Sequence, residues 1–302
     1  MAWIADLEEV LDLLGLRRNR CPKCIAGYED LGGNQVGANP TPTRTGEDIL
    51  KALRKLRTRF PKATTWQFSV KGRDLGLLGV ENLCWEGLSV DICRVVCLDL
   101  LHGLHKYISD HPKAWITKTI GVAELDACFI AQPYRRGQRT FHNGISKISQ
   151  WSGRENRDFQ RHLAVTVAGA YEKGTGKESP RMMQATRSLL DFSYKAQFPV
   201  HSDITLESMI HDLKVYYSSV RVFIENGARC NGKGVPISHF RIPKHHNLCH
   251  FMDDIRDHGT LDNGSSEITE ALHIPTCKVT YHATNRRGFT TQILDQLQRI
   301  DS

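Results

Sequence analysis

Residues 202–227 carry the clearest helical pattern in the sequence, and this pattern limits the fold more than any other feature. Apolar side chains recur there every three or four positions, which places them on one face of an α-helix. Gly227 suits the C-terminal cap of that helix. The apolar face consists of Leu206, Met209, Leu213, Tyr216, Val220 and Phe223. A face of this kind predicts a helix that packs into a core, and not a cofactor-binding segment.

Several other segments show helix signals, whereas strand signals are scarce. Ser152 lies three residues before Glu155, which is the spacing of a capping box at a helix start. Pro243 suits the first turn of a helix and Gly259 its end. Helices are predicted over residues 7–14, 47–60, 90–110, 152–167, 180–197, 202–227 and 243–258, and "ATTWQFSV" favours a short strand. The pattern predicts a mainly α fold of about nine helices.

The chain has 302 residues, 40% of them hydrophobic, which suits one large or two modest domains. No apolar run is long enough to span a bilayer, and the acidic residues near the N-terminus argue against a signal peptide. The odd number of cysteines, nine, favours reduced thiols over a disulfide framework. We therefore expect a protein of the cytosol or nucleus that is not secreted and has no membrane partner.

A formal net charge of +7 permits a nucleic-acid partner without requiring one. Residues 47–60 predict an amphipathic helix with an apolar face and a basic face, after a loop over residues 31–46 that is rich in Gly, Pro, Thr and Asn. The basic face consists of Lys51, Arg54, Lys55, Arg57 and Arg59. Either this face is simply solvated, or it contacts the phosphate groups of DNA.

Cys21 and Cys24 form a C-x-x-C pair in "RCPKC". This spacing lets two thiolates reach one tetrahedral zinc ion, but zinc needs four ligands and the sequence has no second C-x-x-C pair. A redox role requires a thioredoxin-like βαβ context, which the pattern does not show. The residues themselves leave two alternatives open, half of a zinc site or two cysteines without a metal.

Two further pairs have spacings that place both side chains on one face of a helix. Asp99 and His102 are three residues apart, and they either supply two metal ligands or form an ordinary hydrogen-bonded pair. His246 and His250 are four residues apart, as in helical zinc sites. Because the glutamate of an H-E-x-x-H metalloprotease is absent there, packed or surface histidines are the default interpretation.

Residues 265–289, "SSEITEALHIPTCKVTYHATNRRGF", combine acids, imidazole and arginine around a proline. Glu267 and Glu270 share one helical face, where they hold a divalent ion only if further acids approach. The alternative is an acidic helix start that the helix dipole stabilises. Pro275 interrupts the helical pattern, at a cost of about 3 kcal/mol or more in helix stability.

A series of motifs occurs in a fixed order along nearly the whole chain. The motifs are "WIAD", "CPKC", "DLLHGL", "FHNGISKISQWSGRENRDFQ", "RSLLDFSYKAQFPVHSDITLESM", "VFIENG", "FRIPKHHNLCHFMDDIRDHGTLDN" and "EITEALH…K…YHATNRRGF". In order and content this series resembles the C-terminal half of Plavaka-type transposases, mobile-element proteins of the Kyakuja-Dileera-Zisupton superfamily that are common in fungal genomes. The resemblance implies a nuclear protein whose partners are DNA and other copies of the transposase.

The resemblance also implies a DDE-type transposase with a ribonuclease-H-like core and a large helical insertion. Three carboxylates of such an enzyme hold two Mg²⁺ or Mn²⁺ ions for in-line displacement at a phosphodiester. Asp6 in "WIAD" corresponds to the second aspartate, and Glu270 corresponds to the glutamate, with Glu267 close behind. The family signatures C-P-x-C and D-x-x-H imply a ligand set for a structural zinc ion, consisting of Cys21, Cys24, Asp99 and His102.

The sequence departs from the family pattern at several positions. The first aspartate is expected on a strand upstream of "WIAD", where this sequence begins. Leu7 and Glu8 replace an aromatic–proline pair, Ala271 replaces an arginine, and Pro275 replaces an acid. We therefore expect a truncated and inactive transposase remnant in which the first strands of the catalytic sheet are missing. The alternatives are a helical DNA- or protein-binding module without catalysis, and part of an active transposase whose N-terminal exons are missing.

The resemblance divides the chain into four parts. Residues 1–35 are expected to be a remnant of the catalytic core with the C-x-x-C pair, and residues 36–75 a linker with the basic helix. Residues 76–260 are expected to form the helical insertion domain. Residues 261–302 are expected to form the C-terminal segment with the glutamate helix.

Overall fold

The computed structural model describes residues 2–32, 36, 41–149, 151–261 and 264–300. Over these residues the protein is mainly α, as the sequence predicts. The loop predicted over residues 31–46 lies partly outside the described residues, because residues 33–35 and 37–40 are not among them. None of the helices in the described part is both long and apolar enough to cross a membrane.

The described residues form sixteen α-helical segments, several of them a single turn. The first eight are α1 (Leu7–Leu13), α2 (Gly46–Arg59), α3 (Thr65–Gly72), α4 (Ile92–Val95), α5 (Lys106–Asp110), α6 (Pro112–Ile120), α7 (Val122–Ile130) and α8 (Gly153–Val167). The other eight are α9 (Pro180–Ala196), α10 (Asp203–Ser219), α11 (Val222–Glu225), α12 (Pro243–Asn247), α13 (Phe251–His258), α14 (Glu267–His273), α15 (Thr280–His282) and α16 (Phe289–Ile300).

Two short strands, β1 (Trp3–Ala5) and β2 (Val96–Leu98), pair in parallel. Ala5 is opposite Leu98, so both strands end on the same side. Asp6 and Asp99, the residues that follow the strands, therefore lie at the same C-terminal end of the pair. The prediction of one helix over residues 90–110 is therefore wrong in its middle part. The β-branched Val96 suits the extended conformation, and pairing with β1 satisfies backbone groups that a helix would otherwise satisfy.

Two apolar cores meet at this pair of strands. The larger core is formed by α5 to α11 and α13, and its fully buried side chains include Phe159, Phe192 and Phe251. The smaller core joins α1, α2, α3 and α4. Val96 belongs to the smaller core and Leu98 to the larger, so β2 connects the two. All six apolar residues predicted to face the core between positions 206 and 223 are buried.

Strong capping interactions determine several helix starts. Ser152 and Glu155 form the predicted capping box at α8. Thr64 and Gln67 form another at α3, in the segment for which the sequence favoured a strand. That strand prediction is wrong, because the capping box satisfies two backbone amides at the start of a helix and so favours the helical form of this segment.

A buried polar network connects α5, α10 and α12. The hydroxyl of Tyr107 lies 2.5 Å from that of Tyr216 and 2.6 Å from Nδ1 of His245, while the hydroxyl of Tyr217 donates to the His245 carbonyl at 2.9 Å. Burial lowers the pKa of His245 to about 3, so its imidazole is neutral and shares one hydrogen bond with the Tyr107 hydroxyl through Nδ1. This network fixes the first turn of α12 against the larger core.

The C-terminal helices pack less closely than the rest. Neither α14 nor α16 contains a buried residue. Pro275 lies in a π-helical turn, Ile274–Val279, that joins α14 to α15, so the chain remains helical where the sequence predicted an interruption. Pro275 is one of the first two residues of this π turn, at the junction with α14.

Candidate metal centre and acidic cluster

Two cysteines and two histidines from distant parts of the sequence come together in one cluster. Cys21 and Cys24 lie in the loop after α1, and both are fully buried. His246 lies in α12, and His250 ends the 3₁₀ turn Leu248–His250 before α13. One donor atom from each of the four residues lies within 4.8 Å of the others. We call Cys21, Cys24, His246 and His250 the Cys/His cluster.

The cysteine loop is held by backbone contacts with the segment before α2. Cys24 forms an isolated antiparallel bridge with Thr43, and Nε of Arg44 donates to the carbonyl of Cys21 at 2.9 Å. Within the loop, the amides of Lys23 and Cys24 donate to Sγ of Cys21 at 3.3 and 3.4 Å. The loop therefore presents both sulfur atoms on one side, and two backbone amides point at the sulfur of Cys21.

Both imidazoles face the sulfur atoms through Nε2. Nε2 of His246 lies 3.2 Å from Sγ of Cys24, and Nε2 of His250 lies 3.4 Å from Sγ of Cys21. The two Nε2 atoms are 3.4 Å apart. On the other side of the His250 ring, Nδ1 lies 4.0 Å from a carboxylate oxygen of Asp253.

The protons of this cluster are shared unevenly. The hydrogen bond with Cys21 lowers the pKa of Cys24 to about 2, against the opposing effect of burial. Burial raises the pKa of Cys21. Burial disfavours protonation of His250, but the attraction of the Cys21 sulfur and the nearby carboxylate of Asp253 outweigh it and raise the pKa of His250. The protein alone thus favours one thiolate beside one imidazolium, a pairing of opposite charges in a buried site.

A second polar cluster surrounds Asp99, which directly follows β2 and is surrounded by donors. Its Oδ1 accepts from the amides of Leu101 at 3.2 Å and Ser266 at 2.8 Å. Its Oδ2 accepts from the amide of His102 at 3.0 Å and the hydroxyl of Ser266 at 2.7 Å, and it also pairs with Nδ1 of His102. Nε2 of His102 lies 2.8 Å from Oε1 of Glu270. We call Asp99, His102, Ser266 and Glu270 the acidic cluster.

The hydrogen bonds of this cluster favour its charged form. The bond with Asp99 raises the pKa of His102, against the effect of burial. Burial by itself would raise the pKa of Asp99, but the hydrogen bonds from His102 and Ser266 outweigh it and lower that pKa. An aspartate and an imidazolium therefore form a hydrogen-bonded ion pair, with Glu270 on the far side of the ring.

The other two predicted catalytic acids have separate partners. Glu267 forms an ion pair with Arg157 of α8. Asp6 accepts a hydrogen bond from the amide of Glu9 at 2.8 Å and so caps α1. Asp6 also lines a cavity of about 590 Å³ together with His102, which places it next to the acidic cluster.

The structure separates the four residues that the family signatures implied as zinc ligands. Cys21 and Cys24 lie with His246 and His250, whereas Asp99 and His102 lie with Ser266 and Glu270. The sequence signal for the two histidines was their spacing of four residues. This spacing is compatible with a metal site and with ordinary packing, so by itself it did not distinguish them. The separation of 222 residues between Cys24 and His246 explains why the pairing could not be seen in the sequence.

The basic face of α2 is formed as predicted, but two of its arginines are paired with acids. Nη1 of Arg54 lies 3.0 Å from Glu47, and the guanidinium of Arg57 contacts both oxygens of Glu86 at 3.0 and 2.9 Å. Arg59 lies over the ring of Phe60 at 5.4 Å. Lys51 and Lys55 are exposed.

A second basic surface, which no sequence pattern indicated, lies on α8 and on the loop before it. Arg154 and Arg161 project from one face of α8 and share the buried carboxylate of Asp158, at 3.9 and 2.7 Å. Nη2 of Arg154 also donates to the carbonyl of Gly137 at 3.3 Å, which joins the helix to the loop. The loop adds two exposed arginines and Tyr134, which is 74% exposed. We call Arg135, Arg136, Arg154 and Arg161 the arginine patch.

Comparison with protein-family models matches residues 1–116 to the family described as Plavaka transposase. This match confirms the resemblance over a segment that includes both strands, the two cysteines of the Cys/His cluster, Asp99 and His102. Among curated proteins, none matches the sequence significantly.

Proposed function

We propose, on the premise that residues 1–116 match the Plavaka transposase family, that this transposase-derived protein contacts DNA but does not cleave it. The single observation that supports the absence of cleavage is the acidic cluster, in which protein donors occupy the oxygens of Asp99. The family's ribonuclease-H-like core and its nuclear location are part of the same proposal.

A two-ion site needs carboxylate oxygens that are free to bind metal. Asp99 is buried and already receives hydrogen bonds from the amides of Leu101, His102 and Ser266, from the Ser266 hydroxyl and from the His102 ring. A metal ion at Asp99 would have to displace several of these donors. The Asp99 side chain therefore acts better as a cap that holds the start of the following helical segment than as a metal ligand.

The remaining acids do not supply a substitute site. Glu270 approaches Asp99 only through the His102 ring, whose positive charge opposes a nearby divalent ion. Glu267 is neutralised by Arg157. Among the described residues, the Cys/His cluster is the one group of three or more such side chains whose donor atoms converge for a metal. The carboxylates as arranged do not fit the two ions of a strand-transfer enzyme.

The arginine patch supports contact with DNA. Its four arginines are exposed, and the carboxylate that Arg154 and Arg161 share, that of Asp158, is buried. Phosphate oxygens accept two hydrogen bonds from one guanidinium, and exposed aromatic rings such as Tyr134 stack on unpaired bases. Arg157, which lies between Arg154 and Arg161 on α8, pairs with Glu267, the residue that follows Ser266 of the acidic cluster.

The absence of cleavage is tested with purified full chain, supercoiled plasmid and Mg²⁺ or Mn²⁺. We expect no nicking above a control without protein. Nicking that requires Mn²⁺, disappears in Glu270→Ala or Asp99→Asn, and persists in Glu267→Gln would contradict the proposal.

Contact with DNA is tested by the salt dependence of binding. The double variant Arg135→Glu/Arg136→Glu should weaken binding and reduce the slope of log affinity against log salt by about two, one for each lost phosphate contact. The matched control is Lys51→Glu/Lys55→Glu on α2, which makes the same change in charge. Equal loss in both variants would show that only net charge matters, and binding without salt dependence would exclude a phosphate surface.

One observation favours a second candidate function, strand cleavage by the same chain. Asp6 and Asp99 follow neighbouring parallel strands, which lie about 4.8 Å apart, and Glu270 is two hydrogen bonds from Asp99. If the His102 ring, which lines a cavity together with Asp6, rotated away, it would no longer separate Asp99 from Glu270. The nicking assay on His102→Ala separates the candidates, because this variant should gain activity only if the ring blocks an otherwise complete site.

A further inference from the structure

We propose that the Cys/His cluster binds one zinc ion that ties the start of the sequence to α12 and α13 and fixes the end of β2. This inference rests on the geometry of the cluster and does not depend on DNA contact or on the absence of cleavage. The ion is structural, because four protein ligands fill its coordination sphere.

The donor set has the chemistry and spacing of a closed zinc site. Two thiolates and two imidazoles are a common structural zinc set, with zinc–sulfur distances near 2.3 Å and zinc–nitrogen distances of about 2.0–2.1 Å. In a tetrahedron these bond lengths place neighbouring donor atoms roughly 3.3–3.8 Å apart. The sulfur–nitrogen contacts of 3.2 and 3.4 Å and the nitrogen–nitrogen contact of 3.4 Å lie close to that range.

The surroundings of the ligands also fit a metal. The amides of Lys23 and Cys24 donate to Sγ of Cys21, as backbone amides do for metal-bound thiolates. Asp253 approaches Nδ1 of His250, where a carboxylate orients the ring and favours metal binding by Nε2. His246 makes its polar contacts through Nε2, and its Nδ1 has no partner among the described residues. Both rings thus direct the same nitrogen toward the sulfur atoms.

Burial indicates a structural ion and not a catalytic one. Cys21, Cys24 and His246 are fully buried, and only His250 is partly exposed. A catalytic zinc ion keeps an open position for water or substrate, usually beside three protein ligands. Here the four donors leave no such position.

Lys23, which lies between the two cysteines, connects the metal-binding loop to β2. Its Nζ lies 2.6 Å from Oδ1 of Asp254, and it also donates to the carbonyl of Val96. Oδ2 of the same aspartate accepts from the amide of Leu98 at 2.8 Å. Because Leu98 immediately precedes Asp99, the zinc loop and α13 together hold the strand end from which the acidic cluster starts.

The first experiment measures zinc in the purified full chain. We expect one zinc ion per chain, and cobalt substitution should give visible absorption typical of tetrahedral cobalt with thiolate ligands. Cys24→Ser and His246→Ala should lose the metal. Cys249→Ser, next to His250 but outside the cluster, and Cys84→Ser should retain it.

Two further variants distinguish this ligand set from the one that the family signatures implied. Asp99→Asn and His102→Asn should keep one zinc ion per chain. Loss of zinc in these two variants but not in His246→Ala would overturn the proposal. The proposal would also be overturned if the wild-type protein folded, bound no zinc when zinc was supplied, and contained a disulfide bond between Cys21 and Cys24.

The coupling to β2 is tested by hydrogen exchange of the wild-type chain before and after removal of zinc by a chelator. The amide of Leu98 should exchange at least tenfold faster without zinc, while amides in the centre of α9, such as that of Leu189, should change less. Unchanged exchange at Leu98 in metal-free protein would overturn the coupling. Lys23→Met, which keeps both cysteines, should accelerate exchange at Leu98 with zinc still bound.

Discussion

The Cys/His cluster and the acidic cluster both join residues that are far apart in the sequence, by 222 residues between Cys24 and His246 and by 167 between Asp99 and Ser266. They differ in how the joined elements pack. The Cys/His cluster joins a buried loop to α12, which is anchored in the larger core by His245. The acidic cluster joins the buried Asp99 to α14, which contains no buried residue.

This difference indicates separate roles for the two clusters. A cluster whose members are all held by a core can keep four donor atoms in place for a metal ion. Glu270, with a side chain that is 56% exposed, is held mainly by its contact with His102. We therefore expect the Cys/His cluster to contribute to global stability and the acidic cluster to control the local attachment of α14.

The largest expected effect comes from loss of the Cys/His cluster. Cys24→Ser should reduce the free energy of unfolding by about 4 kcal/mol or more, the scale of losing a structural metal. Chemical denaturation with excess zinc measures this effect, and Cys84→Ser is the control. An effect below about 1 kcal/mol would remove the proposed contrast between the clusters.

A smaller effect is expected from the network beneath α12. Tyr107→Phe removes the hydroxyl that contacts Tyr216 and Nδ1 of His245, and it leaves both buried groups without this partner. The free energy of unfolding should fall by about 2 kcal/mol. Thermal unfolding measures the change against Tyr134→Phe, which alters an exposed hydroxyl. If both variants were equally stable, α12 would not depend on this anchor.

The acidic cluster should give a stability that depends on pH. The pKa of His102 is raised above 6.5, so its ion pair with Asp99 stabilises the fold fully below that pH and is lost as pH rises through the folded-state value. Asp99, with a lowered pKa, keeps its charge until pH falls below 3.8, and Lys106 opposes the protonation of His102 without reversing it. His102→Asn should therefore cost about 1 kcal/mol near pH 5.5 and less near pH 8.5.

That pH dependence is measured by denaturant titrations of the wild type and His102→Asn in the same buffers. The wild type and the variant should differ more at the acidic pH. A difference that grows toward alkaline pH would contradict the assignment of His102 as the imidazolium of this pair.

The smallest effect is expected at Glu270. Because its side chain is exposed and its partner is one imidazole, Glu270→Gln should change the free energy of unfolding by about 0.5 kcal/mol or less. Hydrogen exchange should nevertheless become faster in α14, where the contact with His102 is lost. A global destabilisation comparable to that of Cys24→Ser would mean that α14 is part of the core after all.

Local patterns predicted much of the helical structure, since capping residues and apolar spacing act within one turn. The apolar face of α10 and the capping box at Ser152 are examples. β2 was missed because its extended form depends on pairing with β1, which lies more than 90 residues earlier in the chain. The wider π turn at Pro275 was missed because a proline signals an interruption whether or not the chain can continue as a helix around it.

The same distinction between local and long-range information applies to the sites. The spacing drew attention to each half of the Cys/His cluster, Cys21 with Cys24 and His246 with His250. It left the cysteines open between a zinc half-site and no metal, and it favoured ordinary packing for the histidines. The pairing of the two halves depends on the tertiary fold. The sequence likewise identified Asp99 and His102 as a pair, whereas their contact with Ser266 and Glu270 follows from the position of α14.

We propose that a metal ion binds to the Cys/His cluster and not to the carboxylates. Crystals of the full chain grown with zinc and then soaked in manganese test it directly, because anomalous scattering locates each metal separately. We expect a zinc peak between Cys21, Cys24, His246 and His250, and no manganese peak at Asp99 or Glu270. Manganese bound among Asp6, Asp99 and Glu270, or zinc absent from the sulfur atoms, would contradict it.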